Sequence, residues 1–243
     1  MKLSIPHDSI LYKVISATGQ LVIKITEATL IGFSPQKGAV FMTNDYPWAK
    51  KLESNTDIIV HELRQVMQDY ESIPNLDDLS AEQKRIISGK QGWKTFFLYT
   101  YGTRVDKNAL RCPHTDALVK KIPGMTMAFF SILEPHTSLL PHRGPYKGVL
   151  RYHLGLIIPQ QADQCGIKVD GTTYHWAYGK SLIFDDTYQH EAWNNSDELR
   201  VVLFIDFKRT LYFPFNVFND LMIKLIGASP FVANILQKIE KPK

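Results

Sequence analysis

The stretch Cys165-Gly166-Ile167-Lys168-Val169-Asp170-Gly171-Thr172-Thr173-Tyr174-His175-Trp176 decides the fold. Two short runs of β-forming residues flank Asp170-Gly171, a dipeptide suited to a two-residue hairpin because both positions accept positive φ. Working outward, similar runs recur over 125–133, 149–158, 181–184 and 199–208. Tyr178-Gly179-Lys180 marks a further turn. Many short strands with regular turns predict a sandwich or jelly roll.

The flanks have a different texture. Ile59, Leu63, Val66, Met67 and Tyr70 form an apolar stripe at helical spacing over 56–70, which Pro74-Asn75 ends. Ser80-Ala81-Glu82-Gln83 reads as a capping box opening a short helix through Ile87, closed by Gly89. Thr115 to Lys121 predicts another short helix, stopped by Pro123-Gly124. From Phe213 onward the periodicity is helical again. The expectation is a single domain over 1–243: a mostly helical lead (1–92), a jelly-roll core (93–210) and an amphipathic helical tail (211–243).

With 243 residues, 44% of them apolar, the chain can bury a full core. The net charge of +4 is modest and its Lys and Arg are dispersed, so no nucleic-acid partner is expected. Cys112 and Cys165 form neither a metal-binding pair nor a disulfide framework, which points to a reducing cytoplasmic compartment. The first residues lack the pattern of a signal peptide. Two terminal segments, Ile10 to Leu30 and Phe213 to Ile239, are apolar but interrupted by charge. They read as amphipathic helices rather than membrane spans.

Three residues carry the chemistry. His142 sits in Pro141-His142-Arg143-Gly144-Pro145, and His190 ends Phe184-Asp185-Asp186-Thr187-Tyr188-Gln189-His190. Arg200 lies inside the strand-like run Leu199-Arg200-Val201-Val202-Leu203-Phe204-Ile205, after the turn Asn194-Asn195-Ser196-Asp197. Two neutral imidazoles suit iron and leave coordination positions open. A guanidinium in an apolar run needs an anion, and it pairs with a carboxylate through parallel hydrogen bonds. Arg151 and His153 share one strand face. They either hold a ligand together, or Arg151 pairs with Asp185 or Asp186 and His153 is a satisfied core histidine. Iron sites of this layout usually carry Asp or Glu two residues after the first histidine; here that position is Gly144.

Pro-His-Arg-Gly-Pro (141–145), Leu-Arg-Tyr-His-Leu-Gly-Leu (150–156), Phe-Asp-Asp-Thr-Tyr-Gln-His-Glu (184–191) and the strand holding Arg200 resemble the aspartyl/asparaginyl β-hydroxylase family, in particular its bacterial lipid A hydroxylase-like branch. The resemblance implies a mainly β fold, a double-stranded β-helix (a cupin-like jelly roll) braced by N-terminal and C-terminal helices. It implies a dioxygenase dependent on Fe(II), 2-oxoglutarate and molecular oxygen. His142 and His190 would ligate iron; Arg200 and Ser131 would hold the distal carboxylate of 2-oxoglutarate, and Arg151 and His153 the carboxylate nearer the metal. Glycine at position 144 fits the family.

The implied substrates are a fatty acyl chain of lipid A or a related lipid or, in the family's other branch, Asp or Asn side chains of a peptide or protein. The first implies peripheral contact with the cytoplasmic face of the inner membrane. Two other readings share the residues: a halogenase using the vacancy at Gly144, and a cupin-like binding module without turnover.

Overall fold

The structure is a computed structural model that describes residues 32–80, 83–89 and 92–240. The expected apolar segment Ile10 to Leu30 therefore lies outside the described residues. Twelve strands are defined among them: β1 (Val40–Phe41), β2 (Ile87–Gly89), β3 (Trp93–Thr100), β4 (Thr103–Arg104), β5 (Met125–Leu133), β6 (Thr137–His142), β7 (Val149–Ile157), β8 (Cys165–Val169), β9 (Thr172–Tyr174), β10 (Ser181–Phe184), β11 (His190–Asn194) and β12 (Arg200–Lys208). They form a seven-stranded sheet, ordered β1-β10-β7-β12-β5-β3-β4, and a five-stranded sheet, ordered β2-β6-β11-β8-β9. Every strand pairing in both sheets is antiparallel. The fold is the jelly roll that the strand spacing predicts.

The large sheet is covered on both faces, which explains the apolar run from Val201 to Ile205 in β12. Val201, Leu203, Ile205 and Phe207 pack outward under the helices Pro47–Glu53 and Thr56–Val66, with Leu52, Ile59 and Leu63 fully buried. Val202 and Phe204 face inward onto the small sheet, against Leu139, Ile167 and Ala192. Asp170 (φ 48°) and Gly171 (φ 83°) make the β8–β9 turn with both residues left-handed, as their dipeptide predicts.

Three local expectations differ from what forms. Residues 83–85 make a single 3-10 turn and 87–89 become β2, paired to β6, so the edge of the small sheet overrides the helix expected there. The helical stripe of 56–70 is an α-helix only to Val66 and tightens to 3-10 over Met67–Ser72. The helix expected over 115–121 spans Pro113–Val119, with proline in the first turn, where its missing N–H costs nothing.

The turn between β11 and β12 carries the chain from the small sheet to the large one. Asn194, fully buried, holds it by donating to the carbonyls of Leu133 (3.1 Å), Glu134 (3.3 Å) and Glu198 (2.8 Å). Asn194→Ala strands these acceptors. We expect a loss of on the order of 3 kcal/mol of stability, measured by urea unfolding, with the midpoint lowered and the slope unchanged.

Candidate metal and anion site

His142 ends β6 and His190 begins β11, and the two are register partners across that strand pair. Their ring centroids lie 4.1 Å apart. His142 Nδ1 is 2.7 Å from the Leu140 carbonyl and His190 Nδ1 is 3.0 Å from the Tyr188 carbonyl. A carbonyl can only accept, so each Nδ1 carries the proton and each Nε2 keeps its lone pair for a metal. Burial holds both rings neutral: it lowers the pKa of His142 and, helped by the neighbouring His142 and Arg151, brings that of His190 down to about 3.

The opposite wall of the cavity comes from the large sheet. Arg200, Ser131, Arg151 and His153 all line the same cavity as the two histidines. About 350 Å³ of atom-free space, open solvent at its mouth included, lies in it. His142 and His190 stand on the small sheet and Arg200, Ser131, Arg151 and His153 on the large one, so all six expected site residues are brought together. Two tryptophans that sequence reasoning missed join them. Trp176 stacks beneath the Arg200 guanidinium at 4.6 Å, and Trp93 Nε1 donates to Ser131 Oγ at 2.8 Å.

Arg200 is 2% exposed, and among the described residues no carboxylate pairs with it. Its one hydrogen bond to a side chain goes to Ser131 Oγ at 3.3 Å, and its Nε has no partner. Burial lowers its pKa to about 10. An unpaired guanidinium in a dry interior is costly. His153 is a second orphan: it is buried with neither ring nitrogen bonded, among the rings of Phe184, Phe204 and Trp176. Burial, with Arg200 and Arg151 nearby, holds it well below the usual histidine range. Unsatisfied donors converging on one cavity fit an anionic ligand that carries acceptors.

Arg151 is differently placed. Its Nε is 2.9 Å from Asp206 Oδ1, and its Nη2 is 3.1 Å from Asp206 Oδ2 and 2.8 Å from Asp186 Oδ2. The pairing with Asp186 was an open alternative in the sequence; the pairing with Asp206 was unforeseen. Asp206 shares the inward face of β12 with Arg200 and Phe204 and is the register partner of Arg151. An acid in the apolar run Ile205-Asp206-Phe207, in step with Arg200, was the signal.

Gly144 is where the structure corrects the sequence most. A Cβ built there would overlap the Asp186 carboxylate, whose main-chain carbonyl also accepts from Gly144 N at 2.7 Å. The space beside Gly144 is therefore filled by an acid from the neighbouring loop, and a halide entering there would meet a carboxylate. The halogenase reading loses the vacancy it relied on. Burial pushes the Asp186 carboxyl above the usual carboxylate range despite Arg151, with Asp206 and Asp185 adding to the rise, and its Oδ1 has no bonded partner among the described residues. Among the described residues, no group of three or more His, Cys, Asp or Glu is arranged to hold a metal.

The family model described as aspartyl/asparaginyl beta-hydroxylase matches residues 53–210. An ornithine lipid ester-linked acyl 2-hydroxylase of Rhizobium tropici is 46% identical over 193 residues, covering 79% of this chain and 68% of that one. The human aspartyl/asparaginyl beta-hydroxylase is 33% identical over 162 residues; the match takes in 65% of this chain but only 20% of that much longer protein. Among solved structures, a Pseudomonas putida prolyl-4-hydroxylase aligns with 79% of this chain and 99% of its own at 15% identity and a TM-score of 0.37. The matched segment holds every strand from β2 to β12 and every site residue named above, and the chain belongs to the aspartyl/asparaginyl beta-hydroxylase family of hydroxylases.

Proposed function

We propose that the protein is an Fe(II)- and 2-oxoglutarate-dependent dioxygenase that hydroxylates an acyl chain of a membrane lipid, ester-linked and carried on an amino-acid headgroup, at the carbon next to the ester carbonyl. The observation that carries the reaction class is Arg200: a buried guanidinium without a carboxylate, facing two neutral imidazoles with free Nε2 lone pairs. The relative of Rhizobium tropici supports the lipid substrate, and points to an ornithine-type lipid ahead of lipid A.

His142 and His190 would hold the iron through Nε2. Arg200 and Ser131 Oγ would receive the distal carboxylate of 2-oxoglutarate, with Trp176 keeping the guanidinium plane in place. His153 would donate to the carboxylate nearer the metal. Asp206 and Asp186 fix Arg151 through Nε and Nη2, leaving Nη1 for the same carboxylate. Bound iron and 2-oxoglutarate together supply the oxidising power that inserts one oxygen atom from O₂ into a C–H bond. The protein's share is orientation and dryness: Phe184, Phe204 and Leu139 keep water from the reacting carbon. Both cysteines are unpaired, which suits a reducing compartment that also supplies Fe(II) and 2-oxoglutarate.

Anaerobic Fe(II) with 2-oxoglutarate should give a visible metal-to-ligand charge-transfer band that His142→Ala abolishes. A missing band, or a variant that keeps it, rejects the iron site. The substrate is tested by deleting the gene and weighing intact lipids: loss of one oxygen from an ester-linked acyl chain is expected. Unchanged lipids, with oxygen added instead to an Asp- or Asn-containing peptide, would move the protein to the peptide-hydroxylating branch that the human relative represents.

A further inference from the structure

Helix Phe215–Gly227 is apolar on two opposite faces. One face is inside: Met222 with Phe218, Ile223 and Ile226 packs on Tyr146 and Leu211. The other is outside. Val217, Leu221 and Leu225, at four-residue steps, are 59%, 53% and 56% exposed, and Phe213 just before the helix is 79% exposed. A surface helix of a soluble domain carries one apolar stripe and turns it inward. A second stripe open to water marks a surface made to be covered.

The helix is fastened to the metal site. Asn219, 1% exposed, accepts from Tyr146 Oη at 2.7 Å and donates to the Gly148 carbonyl at 2.8 Å. Tyr146 and Gly148 belong to the loop that leaves His142 and passes Gly144. Arg209 closes the same end, donating from Nε to the Lys147 carbonyl at 2.8 Å and pairing with Asp185. The helix that carries the exposed stripe is thus tied to the loop that follows the first imidazole.

We propose that this face is the surface by which the protein rests on an anionic lipid bilayer, with Phe213, Val217, Leu221 and Leu225 among the acyl chains. The inference rests on the lipid-acyl reading above and adds to it the place of contact. Charge favours this occupant. Asp220, the helix's one acid, is neutralised by Lys208 at 2.7 Å, and among the described residues no carboxylate pairs with Lys224, on a chain of net charge +4. An apolar stripe edged by lysine lies in a bilayer interface, buried about 5–10 Å into the headgroup boundary.

The test uses the full chain and vesicles of phosphatidylglycerol and phosphatidylethanolamine, with pure phosphatidylcholine for comparison. Wild type should sediment with the anionic vesicles, and Val217→Glu/Leu221→Glu should reduce the bound fraction about tenfold while keeping the Fe(II)–2-oxoglutarate charge-transfer band. An NBD fluorophore on Leu221→Cys, selective because Cys112 and Cys165 are buried, should shift to the blue only when anionic vesicles are added. Wild type that stays in the supernatant, or a double variant that binds as well, overturns the proposal. So does a label already blue in buffer: dependence on protein concentration would then identify a second copy as the cover, and independence the chain's own residues 1–31. Vesicle binding without any charge-transfer band would instead sink the catalytic reading and leave the surface standing.

Discussion

Gly144→Asp, which writes the customary carboxylate back into the motif, should cripple the protein rather than complete the candidate metal site. The new side chain enters the space of the Asp186 carboxylate, which is itself buried and held by Arg151. Two carboxylates cannot share that space, and like charges so close cannot both ionise. Either Asp186 is expelled, leaving Arg151 with one partner, or the 141–148 loop moves and takes His142 with it. Displacing one member of a buried ion pair costs about 3–5 kcal/mol, equivalent to roughly 10 °C in a domain of this size. Scanning calorimetry of the metal-free variant checks this. A Tm equal to wild type, with iron bound more tightly, would show that the site tolerates a third protein ligand. Gly144→Ala should show a smaller loss of the same sign, since even a Cβ meets the carboxylate.

Arg200→Met should separate stability from binding. The guanidinium is buried with an unpartnered Nε and no carboxylate, so in the ligand-free protein it is a cost. An unbranched apolar side chain of comparable length removes that cost, and replacing buried charge by apolar groups is often stabilising by about 1–4 kcal/mol. Trp176 and Ser131 remain to pack against it. Affinity for 2-oxoglutarate should fall by roughly two to three orders of magnitude, because one member of a desolvated charge pair is gone. Wild type should therefore gain Tm on adding 2-oxoglutarate with a redox-inert divalent metal, and the variant should start higher and gain almost nothing. A variant that melts lower than wild type and still responds to 2-oxoglutarate would contradict both halves. The result would illustrate binding chemistry held in place at the expense of stability.

The sequence made the candidate anion site legible because it broke a local rule in public. An arginine at the head of Val-Val-Leu-Phe-Ile, behind Leu199, has no benign explanation, and the period-two pattern of a strand put Arg151 on one face with His153. What stayed hidden depended on partners far away in the chain. β6 and β11, which hold the two histidines, were missing from the expected strands: Thr137–His142 is interrupted by Pro141, and His190–Asn194 is short and half polar. Such segments become strands only because each finds a neighbour. The fate of Gly144 was equally invisible, since its meaning lies in a carboxylate from a different loop. At 87–89 an edge strand defeated a well-formed capping signal, again a tertiary pairing overruling a local preference.

The two histidines stand opposite each other on adjacent strands, and beside them the pairing steps irregularly between His190 and Ala192. That placement makes the site a gauge of strand registration. Sliding β11 by one residue against β6 would turn His190 out to solvent with its neighbours and bring Glu191 inward, because side chains alternate along a strand. A metal spanning both imidazoles would be bound only by the correct alignment, and would withdraw misaligned chains from the folding ensemble by mass action. Chemistry and chain alignment are thus read by the same pair of atoms.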